Sequence, residues 1–237
     1  MKRILTFGDS WVNGGSLTSE MNKEYEKNGF VVIDNFLPKD VYAKMVKIFN
    51  AGKDFVEINQ IREERYKLWE TFDDERFPVT TEDYIANFWS SHEVVTDDYV
   101  SEVFNKYIKP VLKEVHGDTL GQFRHQATKM KSNNEDFIRA HYDDYMGEAG
   151  YILYLTKELW KYDWGGQLQV SSGGEILSIF PDPNRLILIN HSLRQSHWVN
   201  PTCSFAKEDR NNIIGFCLPK DSPLPETWTN RDDFAIY

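Results

Sequence analysis

Cysteine and long apolar segments are both scarce in this sequence of 237 residues. Cys203 and Cys217 are the only cysteines, and two thiols cannot build the disulfide framework typical of small secreted proteins. The longest apolar runs, such as residues 186–189, fall far short of the ~20 residues that a membrane-spanning helix requires. Gly8 and Asp9 interrupt the apolar segment after the basic start, so no signal peptide is predicted. We therefore expect a protein that is neither exported nor inserted in a membrane, in a reduced, cytoplasmic setting.

Positive charge is also in short supply. The sequence has 27 Lys and Arg against 37 Asp and Glu, which gives a formal net charge of -10. Nucleic acids and anionic membrane surfaces bind proteins through clusters of Lys and Arg, so neither is an expected partner. Hydrophobic residues make up 41% of the chain, including seven Trp, twelve Tyr and fifteen Phe. Such a composition indicates a packed globular protein and argues against disorder.

The chain shows no repeat, low-complexity tract or flexible linker, so we predict a single domain over residues 1–237. Within it, residues 1–28 are expected to be an N-terminal tail of uncertain role, and residues 29–120 a helical support region. Residues 121–220 contain short segments separated by Gly, Pro, Asn and Asp, a pattern that indicates antiparallel β-sheet. We expect the core of the domain to lie there.

Three elements of the support region can be placed from their residue patterns. Residues 29–34 are rich in β-branched side chains, which predicts a strand. Pro38 suits the first turn of a helix that runs to about Asn50. Apolar residues with a period of 3.6 predict a second helix over residues 97–115, which Pro110 should kink.

His141, Asp143 and His197 are the candidate metal ligands of this chain. On an extended strand residues i and i+2 point to the same side, so His141 and Asp143 can face one ion. Two imidazoles and a carboxylate leave three positions of an octahedral ion open, as in non-haem Fe(II) oxygenases. A structural zinc site would normally supply four protein ligands, usually including cysteine. The triplet alone is weak evidence, because a single histidine on a half-buried strand is more often a packed residue than a metal ligand.

The segments around these residues form an ordered set. In sequence and spacing, the set resembles the 2-oxoglutarate and Fe(II)-dependent dioxygenases, most closely their prolyl 4-hydroxylase-like branch. The resemblance covers residues 122–219, with a weaker likeness over residues 29–50. Its segments are residues 133–138, 151–156, 165–170, 184–190, 196–201 and 210–216.

The resemblance implies a mainly β fold with flanking helices, a double-stranded β-helix of the jelly-roll, cupin-like type, with N-terminal α-helices packed on its major sheet. It implies that His141, Asp143 and His197 bind Fe(II). It also implies that 2-oxoglutarate is the cosubstrate, held at its far carboxylate by Arg210 and Tyr154, with ascorbate as a candidate reductant. A planar guanidinium suits that task because it can bind a carboxylate through two parallel hydrogen bonds.

Other residues near these segments are candidates for the substrate side or for the lining of the pocket. Trp198 and Asp144 are candidates for the substrate side of the site, whereas Asp144 and His191 are not expected to bind the metal. Core packing competes with a pocket role for the apolar candidates, which are Met130, Ile138, Leu168 and Ile214.

The activity implied by the resemblance is hydroxylation of a C–H bond in a peptidyl proline or a related amino-acid residue, in a peptide, a protein or a small amino-acid-like molecule. Two alternatives stay open. One is a metal-binding β-sandwich that recognises a ligand without catalysis. The other is a hydrolase, because Gly8-Asp9-Ser10 resembles the opening block of the SGNH hydrolases. Ser10 would be its nucleophile, but the chain has no match to the late Asp-x-x-His block that supplies the base.

Overall fold

The computed structural model describes residues 6–7, 19–61, 85–144, 146–172, 174–224 and 235–236. Its α-helices are α1 (Ser19–Asn28), α2 (Lys39–Ala51), α3 (His92–Thr96), α4 (Asp98–Val103) and α5 (Lys109–His116). Its strands are β1 (Thr6–Phe7), β2 (Phe30–Ile33), β3 (Val56–Ile61), β4 (Ile85–Ser91), β5 (Leu120–Met130), β6 (Phe137–His141), β7 (Ala149–Tyr154), β8 (Leu168–Ser172), β9 (Glu175–Ile179), β10 (Leu186–Asn190), β11 (His197–Val199), β12 (Arg210–Pro219) and β13 (Ala235–Ile236).

The strands form one strongly curled sheet with the order β1-β2-β10-β7-β12-β5-β4-β6-β11-β8-β9, to which β3 and β13 add as side branches. Strands β5, β7, β10 and β12 lie together on one side, and β6, β8, β9 and β11 lie together on the other. Between β5 and β12 the chain crosses repeatedly from one side to the other, with antiparallel pairing throughout. This is the jelly-roll arrangement, and it confirms the predicted double-stranded β-helix.

The two sides of the curled sheet face each other across a shared apolar interior. Ile152, Tyr154 and Ile187 of the first side pack in one cluster with Leu168 and Val199 of the second. Successive residues of a strand point to opposite faces, so the alternate residues of β7 and β10 enter a second cluster on the outside. Helices α1, α2, α4 and α5 cover that outer face. The side formed by β5, β7, β10 and β12 is therefore the major sheet, on which the resemblance implied that the helices pack.

The elements predicted in the support region are present, with one difference. Strand β2 and helix α2 lie where the residue patterns placed them. The helix predicted over residues 97–115 is divided into α4 and α5 by a π-helical turn, Phe104–Ile108. The turn lies just before Pro110, which has no backbone N–H to complete the regular helical hydrogen bonds and disturbs the preceding turn sterically. Gly117, at a φ of 112°, ends the last helix.

The stretch predicted as an N-terminal tail contains an ordered helix, α1, and a short strand, β1, which pairs in parallel with β2. Met21 and Tyr25 of α1 are almost completely buried in the outer cluster. Ser10, the nucleophile of the hydrolase hypothesis, lies outside the described residues. The assignment of the whole chain to a single domain stays a prediction.

Across the ranges that the structure describes, no helix combines the length and the apolar character needed to cross a membrane. Cys203 and Cys217 are free thiols. The cytoplasmic setting expected from the sequence stays a prediction.

Candidate metal centre

Strand pairing places the two histidines of the candidate site side by side. His141 is the last residue of β6 and His197 is the first residue of β11. These strands are antiparallel neighbours, and the two histidines are directly opposite each other in the register. Their ring centroids are 4.3 Å apart, and both residues are buried.

Asp143 completes the cluster from a turn rather than from a strand. The sequence pattern predicted that Asp143 lies on the same extended strand as His141. In the structure β6 ends at His141, and Asp143 lies in the irregular segment that follows. Its carboxylate nevertheless reaches both imidazoles. The distance is 3.0 Å from Oδ2 to His197 Nε2 and 3.6 Å from Oδ1 to His141 Nε2.

Backbone carbonyl groups orient both imidazoles in the same way. Nδ1 of His141 lies 2.7 Å from the carbonyl oxygen of Arg139, and Nδ1 of His197 lies 3.1 Å from that of Gln195. An imidazole that donates from Nδ1 to a carbonyl is oriented with Nε2 on the opposite side, where it can bind a metal ion once Nε2 carries no proton. Both Nε2 atoms lie beside the Asp143 carboxylate, so the three ligand atoms converge on one point.

The three side chains of the cluster change one another's pKa values. Burial lowers the pKa of His141 to about 4, with a further contribution from His197. Burial alone would raise the pKa of Asp143, but His141 and the hydrogen bond from His197 hold this pKa well below its usual range. Burial also acts to lower the pKa of His197, and the hydrogen bond to Asp143 outweighs it and raises this pKa. The cluster therefore contains an ionised carboxylate and, at His141, a neutral imidazole, whereas His197 would have to release a proton to bind a divalent metal.

The three residues fit an Fe(II) ion. One ligand atom from each of His141, Asp143 and His197 lies within 4.8 Å of the others. The donor set has two nitrogens and one oxygen without thiolate, and it leaves positions open for other ligands. The assignment of these three residues as the metal site stays a prediction.

Arg210, the first residue of β12, is a buried guanidinium whose hydrogen bonds in the described residues go only to uncharged groups. It donates from Nη2 to Tyr154 Oη at 3.0 Å and from Nη1 to Asn212 Oδ1 at 2.6 Å. A longer contact of 3.7 Å joins Nη1 to the sulfur of Met130. Its Nε has no hydrogen-bond partner in the part of the chain that the structure describes. A buried guanidinium that lacks a carboxylate partner is suited to bind the carboxylate of a ligand.

A single cavity of about 60 Å³ connects the histidine cluster with Arg210. It is lined by the three candidate ligands, by Arg210 and by mostly apolar side chains, among them the predicted pocket residues Ile138, Leu168 and Ile214. Met130 lies at the guanidinium instead. The cavity therefore joins the cluster of candidate metal ligands to a buried positive charge through an apolar interior.

Neither Trp198 nor Asp144 is among the residues that line the cavity. Trp198 alternates with His197 and Val199, which line the cavity, so its side chain points to the other face of β11. Asp144 forms an ion pair with Arg194 at 2.8 Å. The substrate-side roles suggested for Trp198 and Asp144 stay predictions.

His191 does line the cavity, although it is not among the three clustered ligands. Its imidazole fills the inward position of β7 that Gly150 leaves free. A Cβ at Gly150 would lie 2.6 Å from Cε1 of this ring. Burial lowers the pKa of His191 to about 4, so the ring is neutral.

Two polar residues near Arg210 were not identified from the sequence. Asn212 accepts a hydrogen bond from Arg210, and Thr128 lies opposite Asn212 on the neighbouring strand β5. Both line the cavity. Asn212 lies two residues after Arg210 and therefore faces the same side of β12. Its position in the cavity could thus have been predicted from the alternation of side chains along the strand.

Comparisons with known proteins agree with this geometry. The family model of the 2OG-Fe(II) oxygenase superfamily matches residues 125–217, a range that contains all three candidate ligands and Arg210. No curated protein matches the chain.

Three solved structures are similar to this chain over most of its length. A prolyl-4-hydroxylase from Pseudomonas putida is 14% identical with a TM-score of 0.57, covering 84% of this chain and 96% of that one. A prolyl hydroxylase from Trichoplax adhaerens, in complex with a peptide fragment of the hypoxia inducible factor oxygen degradation domain, is 16% identical with a TM-score of 0.59, covering 89% and 90%. A 2OG-Fe(II) oxygenase family oxidoreductase from Burkholderia pseudomallei is 11% identical with a TM-score of 0.62, covering 93% and 98%.

At these identities the structural similarity establishes the fold, and the family model matches the region that contains the candidate ligands. The donor set and the cavity fit the cofactors of that family. Residues 125–217 thus match the 2OG-Fe(II) oxygenase superfamily, and the cofactors that this family implies are Fe(II) and 2-oxoglutarate.

Proposed function

We propose that this protein is an Fe(II)- and 2-oxoglutarate-dependent dioxygenase that hydroxylates a C–H bond of a peptidyl proline or a related amino-acid residue. The observation that carries the proposal is the pairing of two sites in one cavity. His141, Asp143 and His197 cluster in its wall, and the buried guanidinium of Arg210 lines the same cavity without a carboxylate partner in the described chain.

The three candidate ligands would contribute different atoms and charges to the metal site. His141 and His197 would supply nitrogen ligands that their backbone hydrogen bonds hold in place, and Asp143 would supply a negative charge that offsets part of the cation's charge. When bound, Fe(II) and 2-oxoglutarate supply the oxidising chemistry, in which dioxygen is consumed and succinate, carbon dioxide and a hydroxylated product are formed. The protein contributes ligation, orientation and the exclusion of water.

Arg210 and its neighbours define how the cosubstrate is held. The guanidinium binds the far carboxylate, and Tyr154 and Asn212 fix the orientation of the guanidinium through its two Nη atoms. The ring of Tyr154 also lies 4.9 Å from the guanidinium carbon, measured to the ring centroid. Ile138, Leu168 and Ile214 line the apolar wall between this charge and the metal cluster. A low dielectric in this space strengthens the bond between guanidinium and carboxylate.

The substrate class is inferred from the similar structures and from the charge of the chain. The similar structures include two prolyl hydroxylases, one of them bound to a peptide. The net charge of -10 disfavours anionic partners such as nucleic acid or anionic membrane and is compatible with a neutral or basic peptide. A peptidyl proline meets these conditions, and other peptidyl residues or small amino-acid-like molecules meet them as well.

The proposal is tested by succinate release from 2-oxoglutarate, with Fe(II), ascorbate and dioxygen present, across a set of proline-containing peptides, matched peptides without proline, and free amino acids. We expect a proline-containing peptide to stimulate succinate release and to gain the mass of one oxygen atom. His197→Ala should abolish both signals, whereas His92→Ala, at an exposed histidine on α3, should retain them. Stimulation by a free amino acid alone would contradict the peptidyl substrate, and a fully active His197→Ala variant would contradict the iron site.

A further inference from the structure

We propose that Arg194 is a positioning residue that clasps the turn carrying Asp143 and thereby holds this carboxylate in place for the metal. This inference rests on the proposed function, because it assigns a role within the proposed iron site. Arg194 does not line the cavity. The contacts that carry it are those of Arg194 with Tyr142 and Asp144.

The three ligands differ in how firmly the backbone fixes them. His141 and His197 belong to neighbouring strands and are paired with each other in the register. Asp143 lies beyond the end of β6, where no strand pairing holds the chain. Its own carbonyl oxygen accepts one turn hydrogen bond, from Met146 N at 2.8 Å. A ligand in such a segment needs additional support to stay within reach of the metal.

Arg194 touches the residues on both sides of Asp143. Its Nε lies 2.8 Å from Asp144 Oδ2, and its guanidinium carbon lies 5.2 Å from the centroid of the Tyr142 ring. An ion pair and a cation-π contact thus meet on one side chain. Because the two contacts flank Asp143 in the chain, they restrict the backbone on either side of the ligand.

The backbone around Arg194 is itself held in a defined conformation. A 3-10 turn, His191–Leu193, precedes it, in which Asn190 Oδ1 accepts a hydrogen bond from Ser192 N at 3.1 Å. Arg194 N then donates to the carbonyl oxygen of His191 at 2.9 Å. With a φ of 47° and a ψ of 51°, Arg194 occupies the left-handed region, which costs a residue with a side chain on the order of 1 kcal/mol. His197 follows three residues later, so the clasp joins the two segments that bear Asp143 and His197.

Two physical effects of Arg194 on a bound cation have opposite signs. As a positive charge near the site, Arg194 would repel a divalent metal, and its removal would strengthen metal binding. As a positioning residue it strengthens metal binding, and its removal weakens it. The sign of the change in metal affinity therefore separates a positioning role from a purely electrostatic one.

The test is titration of the metal-free full chain with Mn(II), which takes the same nitrogen and oxygen ligands as Fe(II) and does not oxidise in air during the measurement. We expect Arg194→Met to weaken Mn(II) binding about 10-fold, the lower end of the range for residues that orient metal ligands. Lys113→Met is the matched control, because it removes one positive charge and one surface ion pair, with Asp118, on α5. This control should leave the Mn(II) affinity unchanged. Thermal unfolding without metal should change little in either variant, which separates positioning from a loss of fold.

Exchange of the two charges provides a rescue. Asp144→Arg and Arg194→Asp should each weaken Mn(II) binding, and the double variant should recover at least half of the loss in binding free energy. A wild-type affinity retained in Arg194→Met, or increased in it, would overturn the clasp while leaving the proposed function intact. Failure of the wild type to bind Mn(II) or Fe(II) would overturn the iron site and the clasp with it.

Discussion

At the scale of single residues, the site depends on buried charges that are satisfied in different ways. Asp143 is held ionised by the two histidines, and Arg210 is held by neutral partners that leave its charge for a ligand. Asp136 is a third case. It is fully buried at the start of the segment that leads into β6, and its carboxylate accepts hydrogen bonds from Lys131 N at 2.7 Å and Asn87 Nδ2 at 3.0 Å.

Asp136 should make the stability of the fold depend on pH. Burial raises the pKa of Asp136 from 3.8 to about 6, against the opposing hydrogen bond from Lys131. The folded state therefore holds the proton to a higher pH than the unfolded chain. The stabilising contribution of Asp136 is complete below its unfolded pKa and is lost as the pH rises through its folded pKa.

Replacement of Asp136 by Asn should remove this dependence, because the amide does not titrate. We expect the fall in the free energy of unfolding between pH 4 and pH 7 to shrink by roughly 1 kcal/mol in Asp136→Asn, a value discounted for solvent screening. Urea denaturation at several pH values measures it. Asp118→Asn is the control, because that carboxylate is 95% exposed. An identical pH profile in Asp136→Asn and the wild type would contradict the assignment.

The candidate site residues could be identified from the sequence because they are metal-binding or charged side chains at the spacing of a known family. His141, Asp143 and His197 combine metal-binding side chains, and Arg210 follows them in the order of the family resemblance. Arg194 could not be identified from the sequence, because its partners, Tyr142 and Asp144, are about fifty residues away in the chain and become its neighbours only in the folded protein. A surface arginine has no sequence pattern that distinguishes such a contact.

At the scale of secondary-structure elements, the fold places an unexpected helix against the major sheet. Helix α1 was not predicted because its ten residues are mostly polar, and its two deeply buried side chains, Met21 and Tyr25, provide too short an apolar pattern. Tyr25 donates a hydrogen bond to the carbonyl oxygen of Ile189 on β10 at 3.2 Å. By contrast, α2 buries three residues at helical spacing, Val41, Met45 and Phe49, and this pattern was visible in the sequence.

Truncation of Met21 tests whether α1 is an integral part of the fold. We expect Met21→Ala to lower the free energy of unfolding by about 2–4 kcal/mol, because a buried side chain is replaced by a cavity. Lys23→Ala, at an exposed position of the same helix, should change it by less than about 0.5 kcal/mol. Chemical denaturation of both variants measures the difference. Equal stability of Met21→Ala and the wild type would show that α1 contributes nothing to the core.

At the scale of the whole molecule, the curled sheet brings together residues that lie far apart in the chain. His197 meets His141 through the pairing of β11 with β6, and Arg210 meets Tyr154 through the neighbouring strands β12 and β7. The fold class could be predicted from the family resemblance, whereas the short segments separated by Gly, Pro, Asn and Asp indicated only antiparallel sheet. The pairing order could not be read from the sequence, because long-range contacts of many short strands decide it.

The central claim is that one cavity binds Fe(II) at His141, Asp143 and His197 and 2-oxoglutarate at Arg210. Its most direct test is the visible charge-transfer absorption of the chelate, recorded without oxygen as 2-oxoglutarate is added to the Fe(II)-loaded protein. We expect the band in the wild type and in His92→Ala and its absence in His197→Ala. In Arg210→Met, which keeps the metal ligands, we expect iron to stay bound and the band to require about 100-fold more 2-oxoglutarate, because a charged, buried hydrogen-bond partner is lost. No band in a wild-type protein that has bound iron, or an unchanged band in His197→Ala, would contradict the account.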